Sequence, residues 1–291
     1  MATGENITTA LADALDTVIG SARIVAEQKG VVKNLCDHQR LGEGVGTDWK
    51  EIDWEKLTAS AISESQYENN PQQFNLTPRT VTPSLVSIQT IITDKVYRNL
   101  NKQALAKMTI LAQNAVERKI DLDGLTVFDG GTSIGGAGVI PTTGHIGAAI
   151  VQITSNPTEP SSSPIAVVLH GYQIHALRNE LLAGIGTYPI PEGSTADVFK
   201  GGWNLPISNA RVFEDGNITI DSSDDAKGGV FAQKGIIYVE GKGPWTETDR
   251  LANFGGGASR VHYRAEYAYG TRPTGTLWVK EIYSDAATPS S

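Results

Sequence analysis

The clearest periodic signal in the chain lies over residues 94–120, DKVYRNLNKQALAKMTILAQNAVERKI. Leu100, Ala104, Met108, Leu111 and Ala115 recur at helical spacing, and Val96, Leu105, Ala112 and Val116 widen the stripe. Asp94 stands where an N-cap belongs, and Arg118 and Lys119 suit the C-terminal end. At about 1.5 Å per residue the predicted helix is a rod of roughly 40 Å. A second amphipathic helix is predicted over residues 7–28, where Ile7, Leu11, Leu15, Val18 and Ala22 recur; Gly20 and Gly30 weaken or end it. Val31 to Leu41 is a further short apolar segment, and GEGVG at 42–46 breaks regular structure.

Residues 47–93 have modest hydrophobicity and much polar surface. They predict a long two-stranded excursion. Trp49 to Leu57 leads out, a polar tip lies around Ser63 to Phe74, and Val81 to Ile92 leads back. A lone hairpin is marginally stable in water, so an element outside it must pack on it. The alternative is a surface loop. Two tryptophans favour burial against a partner.

After the long helix, DLDGLTVFDGG closes the rod, and a glycine-rich loop follows. AAIVQIT (148–154) and PIAVVLH (164–170) predict strand or helix edges, and GYQIHALRNELLAG (171–184) predicts a helix with a glycine stop. GGWNLPISNARVFE (201–214) predicts a turn and strand, and GGVFAQKGIIYVEG (228–241) predicts strands. Residues 260–269 alternate polar and apolar, as a strand with one buried face does, and GTLWVKEIYSD (275–285) is a further strand. The pattern is α+β: one long helix flanked by strands distant in sequence.

Length and charge narrow the function classes. The 291 residues suffice for one large or two ordinary domains, and 40% are hydrophobic. No apolar run reaches a membrane span, and MATGENITTA lacks the basic and apolar regions of a signal peptide. Cys36 is single, which excludes an intrachain disulfide and fits a reducing site of synthesis. The net charge of −8 argues against a protein whose main task is gripping nucleic acid. Residues 1–75 carry an acidic excess and residues 76–130 a basic one, a split that suits pairing within or between subunits.

Candidate chemistry is sparse. Gly131-Thr132-Ser133-Ile134-Gly135 matches G-x-S-x-G, the elbow that presents a serine nucleophile in one hydrolase superfamily. An elbow must lead straight into a helix, and Gly135-Gly136-Ala137-Gly138-Val139-Ile140-Pro141 is a poor first turn. His170 and His175, five apart, would not share a helix face, and no H-E-x-x-H is present. GEGVG and GGTSIGGAG lack the G-K-[ST] of a phosphate loop, and DSSDD (221–225) lacks calcium-loop spacing. The expectation is no enzyme, no metal and no cofactor. Elements that are not stable alone imply neighbours, as in the subunit of an assembly.

The order of these segments resembles the major capsid proteins of tailed bacteriophages, the Hong Kong 97-type fold. Residues 1–41 resemble its N-terminal arm and 42–92 its extended loop. Residues 93–130 resemble the peripheral domain with its spine helix, 131–255 the axial domain, and 256–291 the returning peripheral strands and tail. IDLDGLTVFDGGTSIGGAGVI is similar to the family's exit from the spine helix. AVVLHGYQIHALRNELLAG, GGWNLPISNARVF and VHYRAEYAYGTRPTGTLWVKEI are similar to its later segments.

The resemblance implies hexamers and pentamers of this chain closing into an icosahedral virion shell, assembled in the host cytoplasm. The shell encloses double-stranded DNA without sequence-specific binding. It also implies a separate scaffolding protein, a portal protein and decoration proteins as partners, with no membrane. Trp49, Lys50, Glu51, Trp54, Lys56, Tyr67, Phe74 and Arg79 are the candidate inter-subunit contacts. Gly130, Gly131, Gly135 and Gly136 form the candidate domain junction, where a sharp turn calls for positive φ. An encapsulin-type nanocompartment shell and a serine hydrolase using Ser133 are the two alternatives.

Overall fold

The computed structural model describes residues 5–6, 26–65, 67, 71–99, 102–184, 206–254, 256–272 and 276–289. In chain order the elements are β1 (Glu5–Asn6), α1 (Val32–Leu35), β2 (Asp37–Arg40), β3 (Trp49–Trp54), β4 (Leu76–Val81), β5 (Ser84–Thr93), α2 (Asp94–Asn99) and α3 (Lys102–Thr126). There follow β6 (Thr132–Gly135), α4 (Thr143–Thr154), β7 (Ile165–Leu169), α5 (Gly171–Gly184), β8 (Arg211–Glu214), β9 (Asp225–Ala232), β10 (Ile236–Leu251), β11 (Ala258–Thr271) and β12 (Val279–Asp285). The helix expected over residues 7–28 lies outside the described residues up to residue 25, as do residues 201–205 of the expected GGWNLP turn. Among the described residues no helix is long and apolar enough to cross a membrane.

Two five-stranded sheets organise the chain. One has the order β1-β5-β11-β10-β2, the other β6-β12-β9-β7-β8. Strand β7, IAVVL, explains why the second sheet sits centrally. Ala166 and Val168 join a cluster with Phe128, Phe231 and Tyr238, while Val167 and Leu169 join another with Ile146, Ile153 and Leu177. A strand covered on both faces must be apolar throughout. Helices α4 and α5 supply one cover. The other comes from the C-terminal part of α3 and the tyrosines of the first sheet, where Tyr238 stacks on Tyr267 and meets Tyr269 edge-on.

Four expectations need correction. The return limb of the 47–93 excursion is Leu76–Val81, which pairs antiparallel with β3 from Trp49↔Val81 to Trp54↔Leu76. Residues 84–93 instead form β5 of the first sheet, paired with β11. Their alternating valine and isoleucines serve that sheet. The rod expected over 94–120 is described as α2 and α3, and α3 runs into DLDGLTVFDGG as far as Thr126 before a 3-10 turn at Val127–Gly130 closes it. The cap of α2 is Thr93 rather than Asp94: the Val96 N–H donates to Thr93 Oγ1 at 3.4 Å, while the Asp94 carboxylate takes Arg250. Residues 148–154 lie inside α4, whose start is fixed by a capping box between Thr142 and His145.

Within the expected helical stripe Val96 and Val116 are buried, and Ile120 just beyond it is buried too. Ile110 and Leu111 are exposed, and the side chains of Leu100, Ala104 and Leu105 lie outside the described residues.

Candidate inter-subunit surface

The β3–β4 hairpin alternates with a period of two, and its two faces have opposite chemistry. Trp49, Glu51 and Asp53 face the body; Lys50, Ile52 and Trp54 face away. On β4 the inward residues are Arg79 and Val81.

The inward face is held by charge. Arg79 pairs with Asp53 at 2.9 Å and donates to the backbone carbonyl of Thr271. Arg272 pairs with Asp37 at 2.6 Å and with Glu51, and its guanidinium lies 5.6 Å from the Trp49 ring centroid. These carboxylates hold the Arg272 pKa above its ordinary value despite the burial that opposes it. Arg272 joins β2, β3 and the end of β11 in one knot, with Trp49 packed on Val81, Ile237 and Val239 below it. Bidentate-capable guanidinium forks suit such a multi-carboxylate position.

The outward face is apolar and uncovered. Trp54 is 67% exposed, Phe74 63%, Ile52 53% and Leu76 50%. Trp54 and Phe74 meet edge-on at 6.2 Å, and the Trp54↔Leu76 and Ile52↔Pro78 pairs extend the patch along the hairpin. Leu57 and Tyr67 are exposed beyond it. Fully burying a large apolar side chain stabilises by roughly 1.5–3 kcal/mol, so a surface laid on this face has much to gain. Near the tip the Gln72 side chain closes the loop on the Thr58 backbone, and Lys56 Nζ reaches the carbonyls of Pro157 and Thr158 at 3.4 and 3.5 Å.

The structure therefore divides the eight candidate contact residues. Trp54, Tyr67 and Phe74 stand in the open, as does Lys50. Trp49, Glu51 and Arg79 are engaged within the chain, and Lys56 touches the loop after α4. Sequence reasoning missed Arg272, Asp37 and Asp53 at the root and Ile52, Leu76 and Pro78 on the open face. The alternation in WKEIDW was the available signal for Ile52 and Asp53; Arg272 and Asp37 carried none.

The glycine junction is not a flexible loop. Thr132–Gly135 is edge strand β6, parallel to β12 in the register Lys280↔Thr132 to Tyr283↔Gly135. Ser133 sits mid-strand opposite Glu281, and the chain next enters a turn, so no strand-to-helix elbow exists at that serine. Of the four named glycines only Gly135 has positive φ, at 95°, and a Cβ there would collide with the Tyr283 carbonyl. Gly130, Gly131 and Gly136 have no such φ. The acidic turn at 221–225 is internally satisfied: Asp221 accepts the Ser223 and Asp225 amides, and Asp225 accepts the Gly138 amide. Among the described residues no three His, Cys, Asp or Glu side chains are grouped so as to hold a metal ion.

No family model matches the chain, and no curated protein matches its sequence. Solved structures do match along nearly the whole length. The head structure of Helicobacter pylori bacteriophage KHP40 aligns with a TM-score of 0.72 at 12% identity, over 96% of this chain and 98% of that one. The capsid structure of cyanophage P-SCSP1u gives 0.70 at 10% identity, over 96% and 95%. The capsid of Ralstonia phage GP4 gives 0.70 at 12% identity, over 95% and 96%. The chain has the α+β fold of these phage capsid and head structures, from end to end, as the order of its segments predicts.

Proposed function

We propose that this chain is the major capsid protein of a tailed bacteriophage, and that copies of it form the hexamers and pentamers of an icosahedral shell around double-stranded DNA. The observation that carries the reading is the joint one: near-complete two-way coverage of phage capsid structures, together with a hairpin whose apolar face is exposed among the described residues. In this reading the 42–92 segment lies on a neighbouring subunit, and Trp54, Phe74 and Tyr67 are its contacts there. Residues 93–130 and 256–291 form the peripheral domain and residues 131–255 the axial domain. The place of action is the virion after assembly in the host cytoplasm. A separate scaffolding protein, a portal protein and decoration proteins complete the particle. The acidic net charge tolerates packed DNA without gripping it. Closed rings reuse the same patches and leave no open edge.

Electron microscopy of the expressed full chain tests this. Rings or closed shells are expected. A chain that stays monomeric at high concentration, with and without a scaffolding protein, overturns it.

A further inference from the structure

Away from the hairpin, two buried carboxylates meet where the segment 26–36 crosses the body. Asp121 on α3 is 2% exposed and Asp215, just after β8, is 0% exposed. Asp121 accepts one donor on each oxygen and has lone pairs to spare: the Val32 N–H at 3.2 Å on Oδ1 and the Asn217 side-chain amide at 2.9 Å on Oδ2. Asp215 Oδ1 accepts the Asn217 backbone N–H at 2.9 Å, while its Oδ2 is buried with no donor. A buried carboxylate oxygen without a donor is costly unless it carries a proton of its own. Asn217 bridges the pair, its backbone N–H on Asp215 and its side-chain amide on Asp121, and among the described residues no Lys or Arg forms an ion pair with Asp215. Burial first, and then Asp121, raise the Asp215 pKa to about 7 against the opposing pull of the Asn217 and Val31 amides.

The surroundings do not neutralise the pair. On the crossing segment, Cys36 donates its thiol to the Val32 carbonyl and is held above its ordinary pKa by burial and by Asp121. Lys33 lies 3.9 Å from Glu240. On α3, Arg118 pairs with Glu27 at 3.1 Å and Asp123 accepts the Tyr267 hydroxyl at 2.8 Å. On β10 and β11, Tyr238, Tyr267 and Tyr269 are all pushed up, chiefly by burial, and stay neutral. Asp121 also lines a cleft of about 440 Å³ between residues 27–34, α3 and Pro244, where Lys29 and Glu117 stand at the wall. Solvent protons thus have a route to the pair.

We propose that Asp121 and Asp215 hold one proton between them, and that this carboxyl–carboxylate pair is a latch that fastens residues 26–36 to the body and lets go as the pH rises. A proton on Asp215 Oδ2 turns that buried, partnerless oxygen into a donor beside the Asp121 carboxylate. Asp121 in turn holds the Val32 amide of the crossing segment. Loss of the proton leaves two buried like charges, which the segment relieves by lifting and admitting water.

The sign follows from linkage. Asp215 is an acid with a closed-state pKa of about 7 against 3.8 when released. The latched form therefore binds more protons between those values. Latching is fully present below about pH 4, weakens by about tenfold per pH unit toward pH 7, and flattens above. This inference goes beyond the shell reading and does not depend on it.

The test is amide hydrogen exchange on the purified full chain from pH 4.5 to 8.5, corrected for the intrinsic rates. In the wild type, protection of Val31, Val32 and Asn217 is expected to fall at least tenfold between pH 5 and pH 8, while amides of β7 and β9 hold steady. Asp215→Asn keeps the acceptor for Asn217 and donates an N–H to Asp121 at every pH, so its protection of Val32 is expected to be flat. Wild-type protection that is flat across this range overturns the proposal, and so does an Asp215→Asn chain that keeps the wild-type slope. If that variant does not fold, the wild-type profile alone decides, backed by its infrared spectrum. The band of a buried carboxylic acid is expected at pH 6 and its absence there overturns the latch.

Discussion

Strands β7 and β3 are nearly the same length, five residues against six, yet they are built in opposite senses. IAVVL is apolar throughout because its own chain covers both faces. WKEIDW turns tryptophan, glutamate and aspartate inward, where arginines hold them, and turns isoleucine and tryptophan out to solvent. A strand that folds for its own domain hides its apolar face. The hairpin shows its apolar face and ties its polar one down. Its root is fixed by the fold, and its outer surface stays exposed among the described residues, as a surface that meets a partner does.

Substitutions separate these two constructions, and the largest effect belongs to the doubly covered sheet. Phe128 is fully buried, stacks at 5.3 Å on Phe231 and underlies Gly229 of β9. Phe128→Ala is expected to cost about 3–5 kcal/mol in urea unfolding. Arg272→Ala comes next. It removes the knot that holds the hairpin root and leaves Asp37 and Glu51 unpaired, for roughly 1–3 kcal/mol. Limited proteolysis between residues 55 and 75 should quicken with little change at β7. Arg264→Ala, which breaks a rim pair with the half-exposed Glu247, is expected to cost about 0–1 kcal/mol. The double change Trp54→Ala and Phe74→Ala should alter the stability of the isolated chain least, by about 0.5 kcal/mol or less, because both side chains are already in solvent. Sedimentation of the same protein should show loss of rings and shells. A double variant that assembles normally would break the comparison between the two strands.

What could be read from the sequence follows the range of the interactions involved. Helix α5 was expected over the residues where it occurs, and the run that forms β7 was marked as regular structure with strand or helix left open, since periodicity and apolar runs are local signals. The end of the long helix was not legible. Asp121-Leu122-Asp123-Gly124 has the composition of a terminator, but three of the four have distant contacts that hold them in the helix. Asp121 holds the Val32 amide, Asp123 accepts the Tyr267 hydroxyl, and a Cβ on Gly124 would press on Val32 and the Tyr269 ring. Strand β5 was assigned to the hairpin because its partner, β11, lies some 170 residues further on. The candidate surface was half legible: composition marked the segment, while facing depended on a register that Arg272 and Asp37 help to fix from far away. The glycine run was misjudged because a parallel edge strand leaves almost no local signature beyond Gly135.

Strand β12 has a consequence for the order of events in the cell. It lies between β6 and β9 inside its sheet, yet a ribosome makes it after every other strand there. Until Val279–Asp285 has emerged, β6 has no neighbour to pair with and β9 is an open edge. Half-made chains thus lack the platform that the rest of the molecule is built upon. Translation itself acts as a timer: the second sheet closes only once the strand that joins β6 to β9 has been synthesised.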